Sequence, residues 1–123
     1  MSTKTISLWE PGKERIEDSN IVSFIRFLEK QYNCKINGFN ALYEFSINQK
    51  EKFWSSLIEF SGLVAQTWGT RIIEDSAKMP GAKWFPDARL SFAENCLRRR
   101  DDGEAMVLIG EQQLSRRLSF KDV

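Results

Sequence analysis

The chain has 123 residues, of which 41% are hydrophobic and 28% are charged, and its formal net charge is +1. This size predicts one domain or part of one, and the near-zero charge gives no electrostatic reason to expect a nucleic acid or a membrane surface as partner. Because neither an apolar run of about 18 residues nor a signal peptide can be recognised, we expect a cytoplasmic chain with no membrane contact.

The first predicted elements are an N-terminal arm and an amphipathic helix. The arm covers residues 1–18 and carries Trp9, which we expect to plug into the rest of the protein as a tether. The helix begins after Ser19, and Asn37-Gly38 is predicted to end it. Its apolar residues recur at helical spacing on one face: Ile21, Phe24, Ile25, Leu28 and Tyr32.

Two further helices are predicted before residue 63. The first is short, over about residues 40–47, and the second has two candidate N-caps, Ser46 and the preferred Asn48. Gly62 is the predicted stop of the second helix. That helix has an aromatic stripe, which we interpret as core rather than as a ligand groove: Phe53, Trp54, Leu57, Ile58 and Phe60.

The middle of the chain, residues 63–97, predicts shaped loops and one short helix. Arg71 to Glu74 is typical of a brief strand, and Trp68-Gly69 of a turn with a buried ring. Pro80 and Pro86 predict irregular backbone in which the residue before each proline is extended, with Trp84 and Phe85 as buried anchors. Ser91 and Glu94 form a capping box that starts a helix at Phe92, whose last turn would hold Arg98 to Arg100.

The last segment predicts a hairpin that leads into a further helix. Its strands are residues 105–109 and 114–118, and Ser119 to Asp122 repeats a helix-start signature. A two-stranded hairpin and four helical residues are marginal alone, so we expect the chain to be cut off at the entrance to a larger domain. The predicted fold class is α+β, mainly α, truncated after a hairpin and a helix start.

Residue chemistry alone predicts no catalytic, cofactor-binding or metal site. The seven glycines are isolated from one another, there is no histidine, and Cys34 and Cys96 are expected to be reduced thiols. We interpret the carboxylates Asp101, Asp102 and Glu104 as a solvated turn. The remaining candidate is a basic patch for a phosphate-bearing ligand, for which helix-end and hairpin-edge cations are the favoured alternative: Arg98, Arg99, Arg100, Arg116 and Arg117.

The run from Pro80 to Leu90, followed by Ala93-Glu94-Asn95 and Leu97, resembles the PGARWFPGARLNYAENLL segment of acetoacetyl-CoA synthetases, in the acyl-CoA synthetase branch of the adenylate-forming enzymes. Leu8 to Pro11, Leu42 to Ser46, Phe53-Trp54 and the terminal hairpin are similar to the same N-terminal region. The departures are Asp87, Ser91 and Phe92, which stand where Gly, Asn and Tyr are usual.

The resemblance implies a ligase that converts acetoacetate to acetoacetyl-CoA through an acyl-adenylate, using ATP, Mg²⁺ and CoA. None of the family's catalytic parts has a counterpart here, so the chain alone is expected to be inactive and to bind none of these groups. The implied domains are a helical cap over residues 1–100 and, over 101–123, the start of a large domain, whose remainder is the expected partner. Two alternatives stay open, a stand-alone interaction module with an aromatic docking surface and a ligase for another short-chain acid.

Overall fold

The computed structural model describes residues 8–111 and 115–123, and the chain divides into two compact units, Met1–Gly62 and Leu63–Val123. The first unit contains α1 (Lys13–Glu17), α2 (Asn20–Tyr32), α3 (Gly38–Asn48) and α4 (Lys50–Ser61). The second contains the antiparallel pair β1 (Ile73–Glu74) and β2 (Lys83–Trp84), then α5 (Phe92–Cys96), then the antiparallel pair β3 (Glu104–Ile109) and β4 (Ser115–Ser119). This mainly helical architecture confirms the predicted α+β class.

The start of α2 was predicted correctly and its end was not. The Ser19 hydroxyl accepts a hydrogen bond from the Val22 N–H at 3.3 Å, as an N-cap should. The helix ends at Tyr32, because Asn33 takes a left-handed conformation with φ of 47°. The predicted stop at Asn37-Gly38 is therefore wrong, and Gly38 instead begins α3.

The junction between α3 and α4 consists of one residue, Gln49. Its N–H donates to the Phe45 carbonyl at 2.8 Å, and its carbonyl accepts from the Phe53 N–H at 2.9 Å, so it belongs to the hydrogen-bonding patterns of both helices. Asn48 is the last residue of α3, and its side-chain amide donates to Glu44 at 3.1 Å. The predicted cap at Asn48 is thus wrong, whereas the stop at Gly62, with φ of 65°, is confirmed.

The core of the first unit lies where α2 and the Ile36 loop meet α3 and α4. Its buried side chains are Phe24, Ile25, Leu28, Ile36 and Leu42. Phe53, Leu57 and Phe60 of α4 pack against this cluster, and the Phe24 ring lies 5.6 Å from Phe53 and 5.1 Å from Phe60. The core interpretation of the α4 stripe is confirmed for these three residues, but Trp54 is exposed.

A small polar side chain occupies the most buried position of α4. Ser56 is fully buried, and its hydroxyl donates to the Gln31 side-chain oxygen at 2.7 Å. The Tyr32 hydroxyl lies 3.0 Å from the Ser56 hydroxyl oxygen, which can accept a hydrogen bond from it. The spacing of apolar residues did not predict the burial of Ser56, because that burial depends on hydrogen-bond partners from α2 and not on hydrophobicity.

The arm before α1 does not tether the chain through Trp9. The Trp9 side chain is 67% exposed, and the Arg15 guanidinium lies over its ring at 5.7 Å from the centroid. The predicted insertion of this ring into the rest of the protein is therefore wrong.

The predicted terminal hairpin is present as β3 and β4. Met106 pairs with Leu118 and Leu108 with Arg116, with an irregularity between Glu104 and Met106. Leu114 and residues 112–113 of the predicted connection lie outside the described residues. Residues 120–122 form a turn rather than a helix start, because the Ser119 N–H and hydroxyl both donate to the Asp122 carboxylate, at 2.9 and 2.6 Å.

The two compact units meet in sequence at Gly62 and Leu63. The predicted boundary at residues 100 and 101, between a cap and a larger catalytic domain, is a different one. It stays a prediction.

Candidate functional site

The central loop, residues 64–91, folds back on itself through two short antiparallel contacts. In the first, Ile73 pairs with Trp84 and Glu74 with Lys83, which confirms the brief strand predicted near residue 73. In the second, the Arg89 N–H donates to the Thr67 carbonyl at 2.9 Å, and the Gln66 N–H donates to the Arg89 carbonyl at 2.8 Å. These backbone contacts hold the proline-rich run against the residues that precede it.

The aromatic anchor of this loop is Phe85 with Trp68, rather than Phe85 with Trp84. The Phe85 ring meets the Trp68 ring edge-on at 5.8 Å, and both side chains are partly buried. Trp84 remains 39% exposed, so its prediction as a buried anchor is wrong.

The backbone of Phe85 also departs from the extended geometry predicted before Pro86. Its φ is 45°, a left-handed conformation that costs a bulky residue about 1–3 kcal/mol. The Phe85 N–H donates to the Ile72 carbonyl at 2.8 Å, and its carbonyl accepts from the Ala88 N–H at 2.9 Å. These two bonds, together with the Trp68 contact, stabilise the turn against that cost.

A chain of charged side chains crosses the central loop. The Arg71 guanidinium forms a two-bond contact with the Asp87 carboxylate, at 2.9 Å from Nε and 2.5 Å from Nη2. Its third nitrogen bonds Glu74 at 2.9 Å, and the other Glu74 oxygen accepts from Lys83 at 3.2 Å. Such bidentate arginine contacts fix orientation, so this network aligns both sides of the loop. Sequence analysis did not identify it.

We expect the Arg71–Asp87 contact to make folding stability depend on pH. The hydrogen bond from Arg71 holds the pKa of Asp87 below its usual value. A carboxylate whose pKa is lower in the folded than in the unfolded state stabilises folding above its unfolded pKa, about 3.9, and loses that contribution as pH falls through the folded pKa. Asp87→Asn should therefore unfold more easily than the native chain at pH 6, and this difference should shrink below pH 4.

The measurement is urea unfolding of both chains between pH 2.5 and 7, followed by tryptophan fluorescence. Asp75→Asn is the matched control, because it removes a carboxylate of the same loop that accepts from Lys78 three residues away, at 2.9 Å. An effect of Asp87→Asn that stays constant across this pH range would contradict the assignment.

The predicted N-cap at Ser91 is confirmed, and Asn95 adds a second contact. The Ser91 hydroxyl accepts from the Glu94 N–H at 3.2 Å. The Asn95 side chain accepts from the Val64 N–H and donates to the Val64 carbonyl, both at 2.9 Å, as a neighbouring strand would. Because α5 ends at Cys96, the prediction that its last turn holds Arg98 to Arg100 is wrong.

The candidate basic patch is partly neutralised by the chain's own carboxylates. Arg99 donates two hydrogen bonds to Asp101, at 2.8 and 2.7 Å, and its guanidinium lies 4.0 Å from the Phe120 ring centroid. Arg117 forms an ion pair with Glu104. The hydrogen bond from Arg99 also lowers the pKa of Asp101. A phosphate-bearing ligand would have to displace these partners, which favours the structural interpretation of the arginines.

One open cavity of about 650 Å³ lies beside the start of α5. Its lining combines one arginine and one glutamate with polar and apolar side chains: Ala65, Gln66, Arg89, Leu90, Ser91 and Glu94. The Arg89 guanidinium already donates to the Ala88 carbonyl at 3.2 Å. The cavity therefore has too few convergent polar groups to define a ligand.

The remaining sequence candidates give no reactive arrangement in the part of the chain that the structure describes. Cys34 and Cys96 are both free thiols. No group of three or more metal-ligating side chains occurs in residues 8–111 and 115–123, and no helix there is both long and apolar enough to span a bilayer. That the chain carries no catalytic, cofactor-binding or metal site stays a prediction.

Comparison with known proteins identifies a family and relatives that resemble this chain, which the geometry of the site does not. Residues 39–96 match the family described as acetyl-coenzyme A synthetase N-terminus. A protein named acetoacetyl-coenzyme A synthetase, from Rhizobium meliloti strain 1021, is 30% identical over 116 residues, which are 94% of this chain and 18% of that protein. Malonamoyl-CoA synthetase vrtB from Penicillium aethiopicum is 27% identical over 95 residues, which are 71% of this chain and 13% of that protein.

A solved structure agrees with these relatives. The acetoacetyl-CoA synthetase from Streptomyces lividans matches with a TM-score of 0.82 and 28% identity, over 94% of this chain and 18% of that one. The chain thus spans less than a fifth of the length of the proteins it resembles.

Proposed function

Because this chain corresponds in sequence and fold to the N-terminal region of acetoacetyl-CoA synthetases, we propose that it is the N-terminal part of an ATP-dependent acid–thiol ligase. The observation that carries the proposal is the structural match, with a TM-score of 0.82 over 94% of the chain at 28% identity. Relatives from Rhizobium meliloti, Danio rerio and Mus musculus are all named acetoacetyl-CoA synthetase.

The proposed reaction has two steps. An acetoacetate carboxylate oxygen attacks the α-phosphorus of ATP and releases pyrophosphate, which leaves an acyl-adenylate. The thiol of CoA then attacks the acyl carbon, forms the thioester acetoacetyl-CoA, and releases AMP and a proton. The first step makes a poor electrophile reactive by turning one carboxylate oxygen into a good leaving group.

The described residues give no support for an ATP or Mg²⁺ site. Among them no cluster of carboxylates or other metal ligands is formed. Two of the five arginines of the candidate basic patch, Arg99 and Arg117, are paired with Asp101 and Glu104. The reacting groups are therefore assigned to the remainder of the ligase, and this chain is assigned a structural role.

The burial pattern of the second unit supports that structural role. No residue in 63–111 or 115–123 is fully buried, whereas the first unit has its own core. A segment of this length without a buried side chain is expected to gain its stability by packing on other parts of a larger protein. The remainder of the same ligase is the partner proposed here.

The test compares the 123-residue chain with the protein produced from the complete gene. We expect the longer protein to release AMP only when ATP, acetoacetate and CoA are all present, and the 123-residue chain to release none. AMP release by the short chain would contradict the structural role. A complete gene that ends at Val123, with a monodisperse folded product, would favour the stand-alone interaction module instead.

A second candidate substrate class is favoured by one relative. Malonamoyl-CoA synthetase is 27% identical to this chain, and its name specifies a different short acid. The same AMP assay with acetoacetate and with malonamate in parallel distinguishes the two, because the preferred acid should give the higher kcat/KM. Cytoplasmic location and a role in ketone-body and lipid metabolism belong to the acetoacetate proposal, and cell fractionation tests the location.

A further inference from the structure

Asn37 and Gly38 lie exposed at the start of α3. The Asn37 side chain occupies the N-cap position of this helix but makes no capping hydrogen bond. N-cap side chains ordinarily accept a bond from an N–H of the first turn, as Ser19 does in α2. The helix that follows Asn37 therefore does not hold its side-chain amide in place.

The backbone nitrogen of Gly38 lies next to that amide in the chain. Its N–H donates to the Ile36 carbonyl at 3.0 Å. Because the first N–H groups of a helix have no partner within the helix, opening this bond leaves the hydrogen bonds of α3 intact. Nothing lies within 4 Å of the position that a Cβ on Gly38 would take, and glycine adopts a wide range of backbone angles. The peptide group between the two residues can therefore rotate, and the nitrogen can reach the side-chain carbonyl carbon of Asn37.

We propose that Asn37 is a site of spontaneous deamidation, with water as the single co-reactant. The Gly38 nitrogen forms a bond to Asn37 Cγ, the Cγ–Nδ2 bond breaks, and ammonia leaves with the proton that the Gly38 nitrogen gives up. Water then opens the resulting five-membered imide. Cleavage between the nitrogen and Cγ gives aspartate, whereas cleavage between the nitrogen and the main-chain carbonyl carbon gives isoaspartate, in which the chain continues through Cγ. This inference does not depend on the proposed function.

The other asparagines do not combine these two conditions. All five precede a residue whose side chain obstructs the approach of the backbone nitrogen: Asn20, Asn33, Asn40, Asn48 and Asn95. Two of them are also held by hydrogen bonds, since Asn48 donates to Glu44 at 3.1 Å and Asn95 bonds both backbone groups of Val64 at 2.9 Å. We therefore expect Asn37 to react before any of them.

The two products differ in their effect on the helical unit. Aspartate leaves the backbone unchanged, and the helix dipole favours a carboxylate at the N-cap. Isoaspartate adds a methylene group to the backbone between Ile36, which is buried in the core, and α3, whose Leu42 is also buried. Because a closely packed core fixes both side chains, the longer backbone disturbs their packing. Isoaspartate formation would thus loosen the helical unit with time.

Ageing at pH 8 of the 123-residue chain and of the protein from the complete gene tests the site. Trypsin cleaves after Lys35 and Lys50, so the peptide of residues 36–50 reports on Asn37. We expect this peptide to gain the mass of an amide-to-acid exchange within days, fragmentation to place the change at Asn37, and an isoaspartate-specific carboxyl methyltransferase to methylate it. Asp102 also precedes a glycine, but its rearrangement releases no ammonia and lies in another peptide.

A synthetic peptide of residues 35–42 sets the time scale of this experiment. An Asn37 amide that stays intact in the protein after the peptide has fully deamidated would overturn the proposal. Earlier deamidation of any other asparagine would overturn it as well.

Three substitutions separate the chemistry from its structural effect. Gly38→Ala should slow the loss of the Asn37 amide at least about tenfold, because an added Cβ obstructs the nitrogen. Equal rates in the two chains would overturn attack by the Gly38 nitrogen. Asn37→Asp should unfold in urea like the fresh native chain, since it adds the charge without lengthening the backbone. The aged native chain should contain a less stable fraction, and the same fraction in aged Asn37→Ser would overturn the effect assigned to isoaspartate.

Discussion

Leu28→Ala should lower the free energy of unfolding of the helical unit by about 2–5 kcal/mol. Leu28 has 0% exposure and lies at the centre of α2, among the buried residues Phe24, Ile25 and Leu42. Truncation removes buried methyl groups and leaves a cavity, because helices packed on several sides relax only partly. Urea unfolding followed by circular dichroism at 222 nm measures the loss.

The expected loss is a large share of the total stability of this unit. The unit comprises Met1–Gly62, and a domain of that size is stable by roughly 3–9 kcal/mol. Ile21→Ala is the matched control, because Ile21 lies on the same helix and is 49% exposed. Comparable losses for the two substitutions would contradict the position of Leu28 in the core.

Gly69→Ala should destabilise the central loop by roughly 2–5 kcal/mol. Gly69 has φ of +70°, which L-residues rarely adopt, and an added Cβ would lie 2.2 Å from the Asp87 Cβ. The collision must displace Asp87, which would weaken its two hydrogen bonds with Arg71. Tryptophan fluorescence during urea unfolding measures the change, since Trp68 precedes this glycine.

Gly38→Ala separates the two causes of that loss. Gly38 has φ of +79°, but nothing lies within 4 Å of the Cβ that alanine would add. It should therefore show only the backbone cost of about 1–2 kcal/mol. A similar loss at Gly69 and Gly38 would mean that the Asp87 backbone moves away freely, and would contradict a rigid loop.

The features predicted correctly from sequence depend on a few neighbouring residues. Ser19 and Ser91 each satisfy an N–H three positions later, and Gly62 adopts the left-handed conformation that ends α4. Such contacts are formed by the local backbone, so the residue type and its spacing are sufficient to predict them.

The predicted helix boundaries were wrong where packing against distant residues decides where the helix ends. Asn33 ends α2 four residues before the predicted stop, and the chain then turns so that Ile36 enters the core. The Ile36 N–H donates to the Glu29 carboxylate at 2.9 Å, which satisfies a backbone donor in the turn. The sequence near Asn33 does not indicate that Ile36 is buried in the core.

The side-chain contacts of the central loop could likewise not be predicted from the local sequence. Sequence indicated that its aromatic residues hold its shape, but Trp84 is exposed and Phe85 packs on Trp68. The ion pair between Arg71 and Asp87 joins residues sixteen positions apart. Neither contact has a local signature, because each depends on how two loop segments meet in space.

By itself, the sequence determined the start of α2, the cap of α5, the stop of α4, the terminal hairpin and the resemblance to acetoacetyl-CoA synthetases. The tertiary structure alone decided which aromatic rings are buried, which arginines are already paired, and that β3 exposes apolar side chains on both faces. The physical reason is range: caps and turns depend on hydrogen bonds between near neighbours, whereas burial and ion pairing depend on segments that are distant in the chain.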